Sequence, residues 1–315
     1  MDEQRATLHT IEGRPAVRLE RRLAHPPSKV WPAISDPREL AHWFPAAIEA
    51  ELKPGATIHF SMEGMEGMAS EGEVLEFDEP NIFAFTWNGD VLRMELFADG
   101  EGSRLVFTHS FGRGEPAIAK LTAGRTATGW SVCLDTLEAR LDNRPFEPPA
   151  DWLGPIGRYV EEFGLGEGEI LDLPDGFLVR FRRDVMWKSV REIWALLTEG
   201  NDVTIGARPP VRAANAYFTP GEVTKAEAPR VLEYTWLHEG TPSGRVRWEI
   251  SHDPLEGTRV ELTQTLPGEF GGLRPAALAV WQVQLELFFE MTHGEVRPWP
   301  AERTKELEAR YRSRG

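Results

Sequence analysis

One histidine of this chain lies among apolar residues that alternate along a predicted strand. In residues 103–111, Leu105, Phe107, His109 and Phe111 share one face, because side chains alternate between the two faces of a strand. That face is otherwise apolar, so we expect it to point into the protein and to carry His109 inward. An imidazole can donate and accept hydrogen bonds, and it exchanges protons near neutral pH. His109 is therefore the strongest candidate for a polar ligand contact or a reacting group.

A glutamine occupies the matching place in a later strand. Val260, Leu262, Gln264 and Leu266 alternate in the same way, so Gln264 is also expected to point inward. Ligand pockets combine apolar walls with a few polar anchors, which makes both polar residues candidate ligand contacts. The alternative is that His109 is a structural residue bonded to a backbone carbonyl, because buried polar groups normally find partners. The pattern leaves both interpretations open.

An apolar lining is expected around these two polar residues. Aromatic and methionine side chains form adaptable apolar walls, and they are frequent on the neighbouring strands and on the helix that follows each set of strands. Beside His109 and Gln264, the predicted ligand contacts are Trp87, Met94, Phe107, Trp130, Leu134, Trp236, Trp248 and Trp281. A filled core would use the same residue types, so these residues alone do not distinguish a cavity from a core.

Signals for catalysis and for metal binding are weak. The eight histidines are scattered without metal-ligand spacing, and there is one cysteine, so we predict no metal site and no cofactor. That cysteine, Cys133, lies on the apolar stripe of a predicted helix, where a thiol is normally inert. No serine motif of the nucleophile-elbow type is present. We predict no catalytic residue, and we keep an enzyme built around His109 as an alternative.

The composition excludes several classes of function. The chain has 35 Lys and Arg against 50 Asp and Glu, a formal net charge of −15, and no basic stripe. Binding of nucleic acid is not expected, because it requires clustered cations to neutralise phosphates. No apolar run approaches the ~20 residues that span a bilayer, and the polar segment 1–14 does not resemble a signal peptide. With a single cysteine, these features predict a cytoplasmic protein that does not insert into membranes.

The two halves of the chain repeat one pattern. Glu73-Val74, Pro80 and Phe85-Thr86-Trp87 recur with every spacing preserved as Glu222-Val223, Pro229 and Tyr234-Thr235-Trp236. The offset is 222 − 73 = 149 residues, close to half of the 315 residues, and further matches follow in the same order. Units of this length usually fold around a single core. We therefore predict two tandem domains: residues 1–163 with a helical tail, a glycine-rich acidic linker over 164–175, and residues 176–315 with a C-terminal helix.

Each repeat shows a strand, short helices, a run of strands and one long helix. Asn88-Gly89 and Asp99-Gly100 are turn dipeptides that predict antiparallel hairpins. Near the end of the first repeat, Trp130, Leu134 and Leu137 follow helical spacing. Because a sheet with one apolar face needs a cover, the long helix is expected to pack on it. The fold class is thus α+β, with two curved antiparallel sheets that each wrap a long C-terminal helix.

The first repeat resembles a known family. Its motifs, in order, are Val30-Trp31, Ser35-Asp36-Pro37, Trp43-Phe44, Pro54-Gly55, Gly72-Glu73-Val74, Phe85-Thr86-Trp87 and Gly129-Trp130. These resemble the activator of heat-shock protein 90 ATPase family, within the START-like superfamily also called SRPBCC, over residues 15–142. The resemblance implies a helix-grip fold with an internal apolar cavity. The second repeat resembles the superfamily more loosely, since Val280 stands in place of Gly129.

Three functions follow as expectations. The leading one is non-enzymatic binding of a hydrophobic or amphipathic small molecule in the START-like cavity. The second, implied by the resemblance, is a co-chaperone or regulatory protein that contacts another protein, with a chaperone as the partner. The third is an enzyme that acts on an apolar substrate around His109.

Overall fold

The computed structural model describes residues 5–62, 69–254 and 256–314. The chain divides into two compact units, Met1–Phe163 and Gly164–Gly315. Each unit has its own antiparallel sheet, of eight strands in the first and six in the second, and its own long helix.

The first unit is a sheet wrapped on a long helix. Its strands are β1 Thr7–Ile11, β2 Arg14–Leu23, β3 Ala47–Ala50, β4 Thr57–Ser61, β5 Ser70–Asp78, β6 Ile82–Trp87, β7 Asp90–Asp99 and β8 Gly102–Ser110. Its helices are α1 Pro27–Ser35, α2 Pro37–Leu40, α3 Pro116–Ala119, α4 Ala123–Leu141 and α5 Leu153–Glu162. The strand order is β1-β2-β8-β7-β6-β5-β4-β3, with antiparallel neighbours, and α4 packs against β2.

The second unit repeats this architecture in a shorter form. Its strands are β9 Glu169–Leu173, β10 Gly176–Asp184, β11 Thr219–Glu227, β12 Val231–His238, β13 Thr241–Asp253 and β14 Gly257–Pro267. Its helices are α6 Val190–Thr198, α7 Arg274–Met291 and α8 Ala301–Arg312. The strand order β9-β10-β14-β13-β12-β11 matches β1-β2-β8-β7-β6-β5 of the first unit. Within the described residues, this unit has no counterpart of β3 and β4. The prediction of two tandem helix-grip domains is confirmed.

Turn chemistry explains the hairpin between β6 and β7. Asn88 and Gly89 both have positive φ, 51° and 82°. A two-residue turn of this kind matches the twist of the strands it joins, and Asn and Gly tolerate it best. The predicted hairpin is confirmed, and it fixes Trp87 opposite Asp90 in the register.

The predicted linker over 164–175 is wrong. Residues 169–173 form β9, which pairs with β10, and Leu165 is buried. The buried guanidinium of Arg183 donates to the carbonyls of Leu165 and Gly166. Packing requires a glycine at position 168, because a Cβ there would lie 2.3 Å from the Phe181 ring. The glycines therefore allow close packing within the second unit.

A tail helix closes each unit in the same way. In the first unit, the Tyr159 hydroxyl of α5 accepts from the Ala6 backbone N–H just before β1, at 3.2 Å. In the second unit, the Tyr311 hydroxyl of α8 accepts from the Gly168 N–H just before β9, at 3.1 Å. The repeat therefore includes the N-terminal hairpin of each unit, and the segment before β9 is the counterpart of the segment before β1.

Other details also differ from the sequence-based expectation. Strands β1 and β3 were not predicted. Helix α1 has Pro26 at its N-cap, without a side-chain cap. Val106 and Thr108, which alternation places on the outer face of β8, are buried. Their strand neighbours are long charged residues, and such side chains cover the apolar surface beneath them.

Candidate functional site

A chain of three hydrogen-bonded side chains crosses the interior of the first unit. The Trp130 indole N–H of α4 donates to His109 Nδ1 on β8 at 2.8 Å. The other ring nitrogen of His109, Nε2, lies 2.9 Å from Asp90 Oδ2 at the start of β7. An indole N–H can only donate, so Nδ1 accepts and Nε2 carries the proton that His109 donates to Asp90. His109 is 8% exposed, and its partners are side chains, not a backbone carbonyl.

The carboxylate of Asp90 is held in its charged form. Burial alone would raise its pKa. The hydrogen bond from His109, the Gly112 backbone N–H at 2.8 Å and the charge of Arg113 outweigh burial and keep the pKa below its usual value of 3.8. Both ring nitrogens of His109 are therefore engaged, one with a donor and one with an anion. In this geometry neither nitrogen is free to accept a proton from a substrate.

Aromatic rings surround this chain on the inner face of the sheet. Phe44 follows α2, and its ring centroid lies 5.2 Å from that of Trp87 and 5.4 Å from that of Trp130. Phe60 of β4 lies 5.7 Å from Trp87, and Phe107 lies 4.4 Å from Trp130. We call Phe44, Phe60, Trp87, Phe107 and Trp130 the aromatic box. It gathers rings from the segment after α2, from three strands and from α4 around the face that carries His109.

Trp87 has a buried donor without a partner. Its indole Nε1 is inaccessible to solvent and makes no hydrogen bond, although the residue as a whole is half-buried. A buried unpaired N–H costs about 1–3 kcal/mol. Trp87 therefore contributes a donor within the aromatic box that an acceptor from outside the chain would satisfy.

The second unit has the same tryptophan donor as this hydrogen-bonded set of side chains but a different acceptor. The Trp281 indole N–H of α7 donates to Gln264 Oε1 on β14 at 2.6 Å. Gln264 takes the register position of His109. Each of the two residues pairs with a valine on one neighbouring strand, β2 or β10, and with an apolar residue on the other, β7 or β13. The Gln264 amide nitrogen is fully buried and makes no hydrogen bond.

The two other predicted tryptophans of the second unit donate to backbone carbonyls. Trp236 Nε1 donates to the Thr265 carbonyl at 2.9 Å, and Trp248 Nε1 donates to the Ala213 carbonyl at 2.9 Å. Gly244 takes the register position of Asp90. A Cβ there would lie 2.4 Å from both Trp236 Nε1 and the Thr265 oxygen. The Trp236 ring thus lies close to the position that corresponds to the Asp90 side chain of the first unit.

The structure brings the predicted site residues together in two groups, one in each unit. Met94, Phe107, His109, Trp130 and Leu134 are buried in the first, and Trp236, Trp248, Gln264 and Trp281 are buried in the second. Trp87 joins the first group with a half-buried side chain.

Sequence reasoning missed three members of the first group: Asp90, Phe44 and Phe60. Asp90 could have been found, because it follows the Asn88-Gly89 turn and shares the strand face of Leu92. Phe44 and Phe60 carried no comparable signal, because their place depends on how α2 and β4 fold over the sheet.

Other chemistry is limited in the part of the chain that the structure describes. No group of three or more potential metal ligands occurs there. Burial and the nearby charge of Asp135 raise the pKa of the Cys133 thiol to about 12, so it is a poor nucleophile at neutral pH. None of the described helices has the length and apolar character needed to cross a membrane.

An open groove lies elsewhere in the second unit. Its volume is about 670 Å³, and its walls include Trp187, Glu192, Leu196, Met291 and His293. The groove runs between α6, with the residues just before it, and the end of α7, and none of the predicted site residues lines it. His293 stacks on Trp187 with ring centroids 4.8 Å apart. Burial, and then the charge of Lys188, lower the pKa of His293.

The two sheets, each wrapped on a long helix, define a protein of two START-like domains. Residues 24–142 match the family model described as Activator of Hsp90 ATPase homolog 1-like protein. The first unit therefore carries a domain of this family, as the resemblance implied. A search of curated proteins found no match to the chain.

Several solved structures are similar to about half of the chain. A conserved protein of unknown function from Enterococcus faecalis is 17% identical with a TM-score of 0.44, covering 50% of this chain and 90% of its own. CalU16 from Micromonospora echinospora is 19% identical with a TM-score of 0.39, covering 51% of this chain and 95% of its own. A protein from Nitrosomonas europaea is 23% identical with a TM-score of 0.37, covering 43% and 99%.

Proposed function

We propose that the first unit binds a small amphipathic molecule within the aromatic box, without covalent chemistry. The observation that carries the proposal is the Trp87 indole N–H, which is buried among aromatic rings and unpaired. A ligand acceptor would pair with this donor, and the rings would pack on the apolar body of the ligand. Apolar walls with few polar groups are typical of small-molecule sites.

The surrounding polar groups support binding rather than catalysis. Trp130, His109 and Asp90 satisfy one another, so they hold the walls of the site in place and leave His109 without a free nitrogen. Phe44 touches both indoles and belongs to the short segment after α2. We expect the ligand to displace the Phe44 ring, because that ring occupies the centre of the aromatic box.

Calorimetric titration of the full chain tests the proposal. The panel contains amphipathic molecules of three kinds: aromatic acids, medium-chain fatty acids and sterols. Trp87→Phe keeps a ring and removes the donor. Loss of one neutral hydrogen bond costs 0.5–1.5 kcal/mol, so we expect binding to weaken about 2- to 12-fold.

Trp236→Phe is the matched control, because it makes the same change at the corresponding position of the second unit. Its N–H already donates to Thr265, so the affinity for the ligand should not change. If no member of the panel binds the wild-type chain, the proposal is wrong. If both variants lose affinity equally, the aromatic box of the first unit is not the binding site.

A further inference from the structure

A second unpaired donor lies at the same end of the sheet as Trp87. The Arg113 Nε atom is inaccessible to solvent and has no hydrogen-bond partner. It lies 3.8 Å from Asp90 Oδ1, beyond hydrogen-bond distance. A Cβ on Gly89 would be 2.7 Å from Arg113 Cγ, so the arginine packs over the turn between β6 and β7. Trp87 and Asp90 pair at that turn, so Arg113 and Trp87 flank Asp90.

The charges at this end of the sheet favour an anion. Arg14 donates to the carbonyls of Phe111, Arg113 and Gly114, which brings a second guanidinium to the same loop. Among these three groups, two guanidinium charges against the carboxylate of Asp90 leave a net charge of 2 − 1 = +1. The carboxylate already accepts hydrogen bonds from Gly112 and His109. His109 adds no charge, because its Nδ1 accepts from Trp130.

We infer that the ligand of the first unit is a monocarboxylate with an apolar, ring-sized body. Its carboxylate accepts from Arg113 and from Trp87, and its body packs in the aromatic box. Arg113 forms an ion pair with Asp90, but its Nε and the Trp87 N–H are donors without a hydrogen-bond partner, so a carboxylate would satisfy both and an amine would satisfy neither. A single negative charge balances the local charge of +1, whereas a phosphate monoester carries about −1.5 to −2 at pH 7 and would overcompensate it. This inference rests on the proposed function.

A matched pair of ligands tests the inference without any variant. Naphthalene-2-carboxylate and naphthalene-2-carboxamide share body and shape and differ in charge. Hydrogen bonds to charged groups contribute more than neutral ones, so we expect the carboxylate to bind the full chain about 10- to 100-fold more tightly than the amide. The measurement is calorimetric titration of both ligands at the same ionic strength.

Two arginine variants locate the effect. Arg113→Gln should reduce the preference for the carboxylate to within about 3-fold, because it removes the cation that faces the carboxylate. Arg104→Gln makes the same change on β8, the strand that precedes the Arg113 loop, and on its outer face, where Arg104 pairs with Glu20. It should leave the preference unchanged. Thermal denaturation of each variant shows whether it is folded.

Each outcome is decisive. Equal affinity of the wild-type chain for acid and amide overturns the carboxylate inference and leaves the proposed function standing. Binding of neither, together with failure of the wider panel, overturns the proposed function itself. An equal loss of preference in both arginine variants would show that net charge at long range, and not Arg113, selects the acid, which also overturns the inference.

Discussion

The two units place the same donor against different acceptors. In each unit, the tryptophan indole N–H of the long helix donates to a polar residue on the strand that comes last in chain order. This residue is His109 in the first unit and Gln264 in the second. His109 in turn donates a hydrogen bond to Asp90, whereas the Gln264 amide nitrogen has no hydrogen-bond partner. The tryptophan is therefore the shared structural element, and the acceptor distinguishes the two interiors.

The difference extends to the position beside the acceptor. The first unit has Asp90 there, with Arg113 nearby, and leaves the Trp87 N–H unpaired. The second unit has Gly244, and the Trp236 ring lies close enough to that position to bond to the sheet itself. The first interior thus keeps unpaired donors beside a charge, whereas in the second Trp236 and Trp248 donate to backbone carbonyls. This contrast is why we place ligand binding in the first unit.

The largest expected effect comes from replacing His109, the middle member of the hydrogen-bonded set Trp130, His109 and Asp90. His109→Leu would leave the Trp130 N–H unpaired and remove one partner of the buried Asp90 carboxylate. We expect the first unit to lose about 2–4 kcal/mol of unfolding free energy. His109→Gln copies the second unit, since its amide can accept from Trp130 and donate to Asp90, so it should lose about 1 kcal/mol or less.

Cys133 provides the measurement for these variants. It is the only cysteine of the chain and lies in α4 of the first unit, and its raised pKa of about 12 makes it slow to react while folded. The rate of thiol labelling in increasing urea therefore follows opening of the first unit alone. Equal stability losses for the leucine and glutamine variants would contradict the shared role of the two acceptors.

A somewhat smaller loss is expected from Gly244→Ala in the second unit. The new Cβ would lie 2.4 Å from the Thr265 carbonyl oxygen and from Trp236 Nε1, so the backbone or the indole must move. We expect a loss of about 2–3 kcal/mol. Hydrogen exchange of peptides from β13 and β14 would detect it. Gly129→Ala is the control, because its Cβ would meet no atom within 4 Å and alanine favours a helix. A neutral Gly244→Ala would mean that Trp236 does not require this glycine.

The smallest effect should appear as a pH dependence confined to the first unit. The pKa of Asp90 is lower in the folded state than its usual 3.8, so the unfolded state binds the proton more readily. The stabilisation is fully present above about pH 4 and is lost as pH falls through the lowered folded pKa. Asp90→Asn should remove this part of the acid sensitivity, as measured by hydrogen exchange in urea of peptides from β7 and β8 at pH 3 and pH 6.

The matched variant for this comparison is Asp99→Asn, at the far end of β7, where the side chain is exposed. It should keep the acid sensitivity of the wild-type chain. An unchanged pH dependence in Asp90→Asn would show that other carboxylates dominate in this range.

Much of the fold could be predicted from the sequence because it rests on local rules. Alternating apolar residues located most of the strands, Asn88-Gly89 located a hairpin, and the internal repeat gave the number of domains. Strand β3 was missed because four residues give too little alternation. The linker prediction failed for a different reason. Gly168 is a glycine because Phe181 packs against it, and a glycine required for packing looks in the sequence like one that provides flexibility.

The sequence by itself determined which polar residues lie inside, because strand alternation places His109 and Gln264 on apolar faces whatever the rest of the chain does. Only the tertiary structure decided what they bond to. Asp90 and Trp130 are 19 and 21 residues from His109, and they reach it through the register of β7 with β8 and the packing of α4 on the sheet. Hydrogen bonds depend on distances of a few tenths of an ångström, which residue types and spacings do not specify.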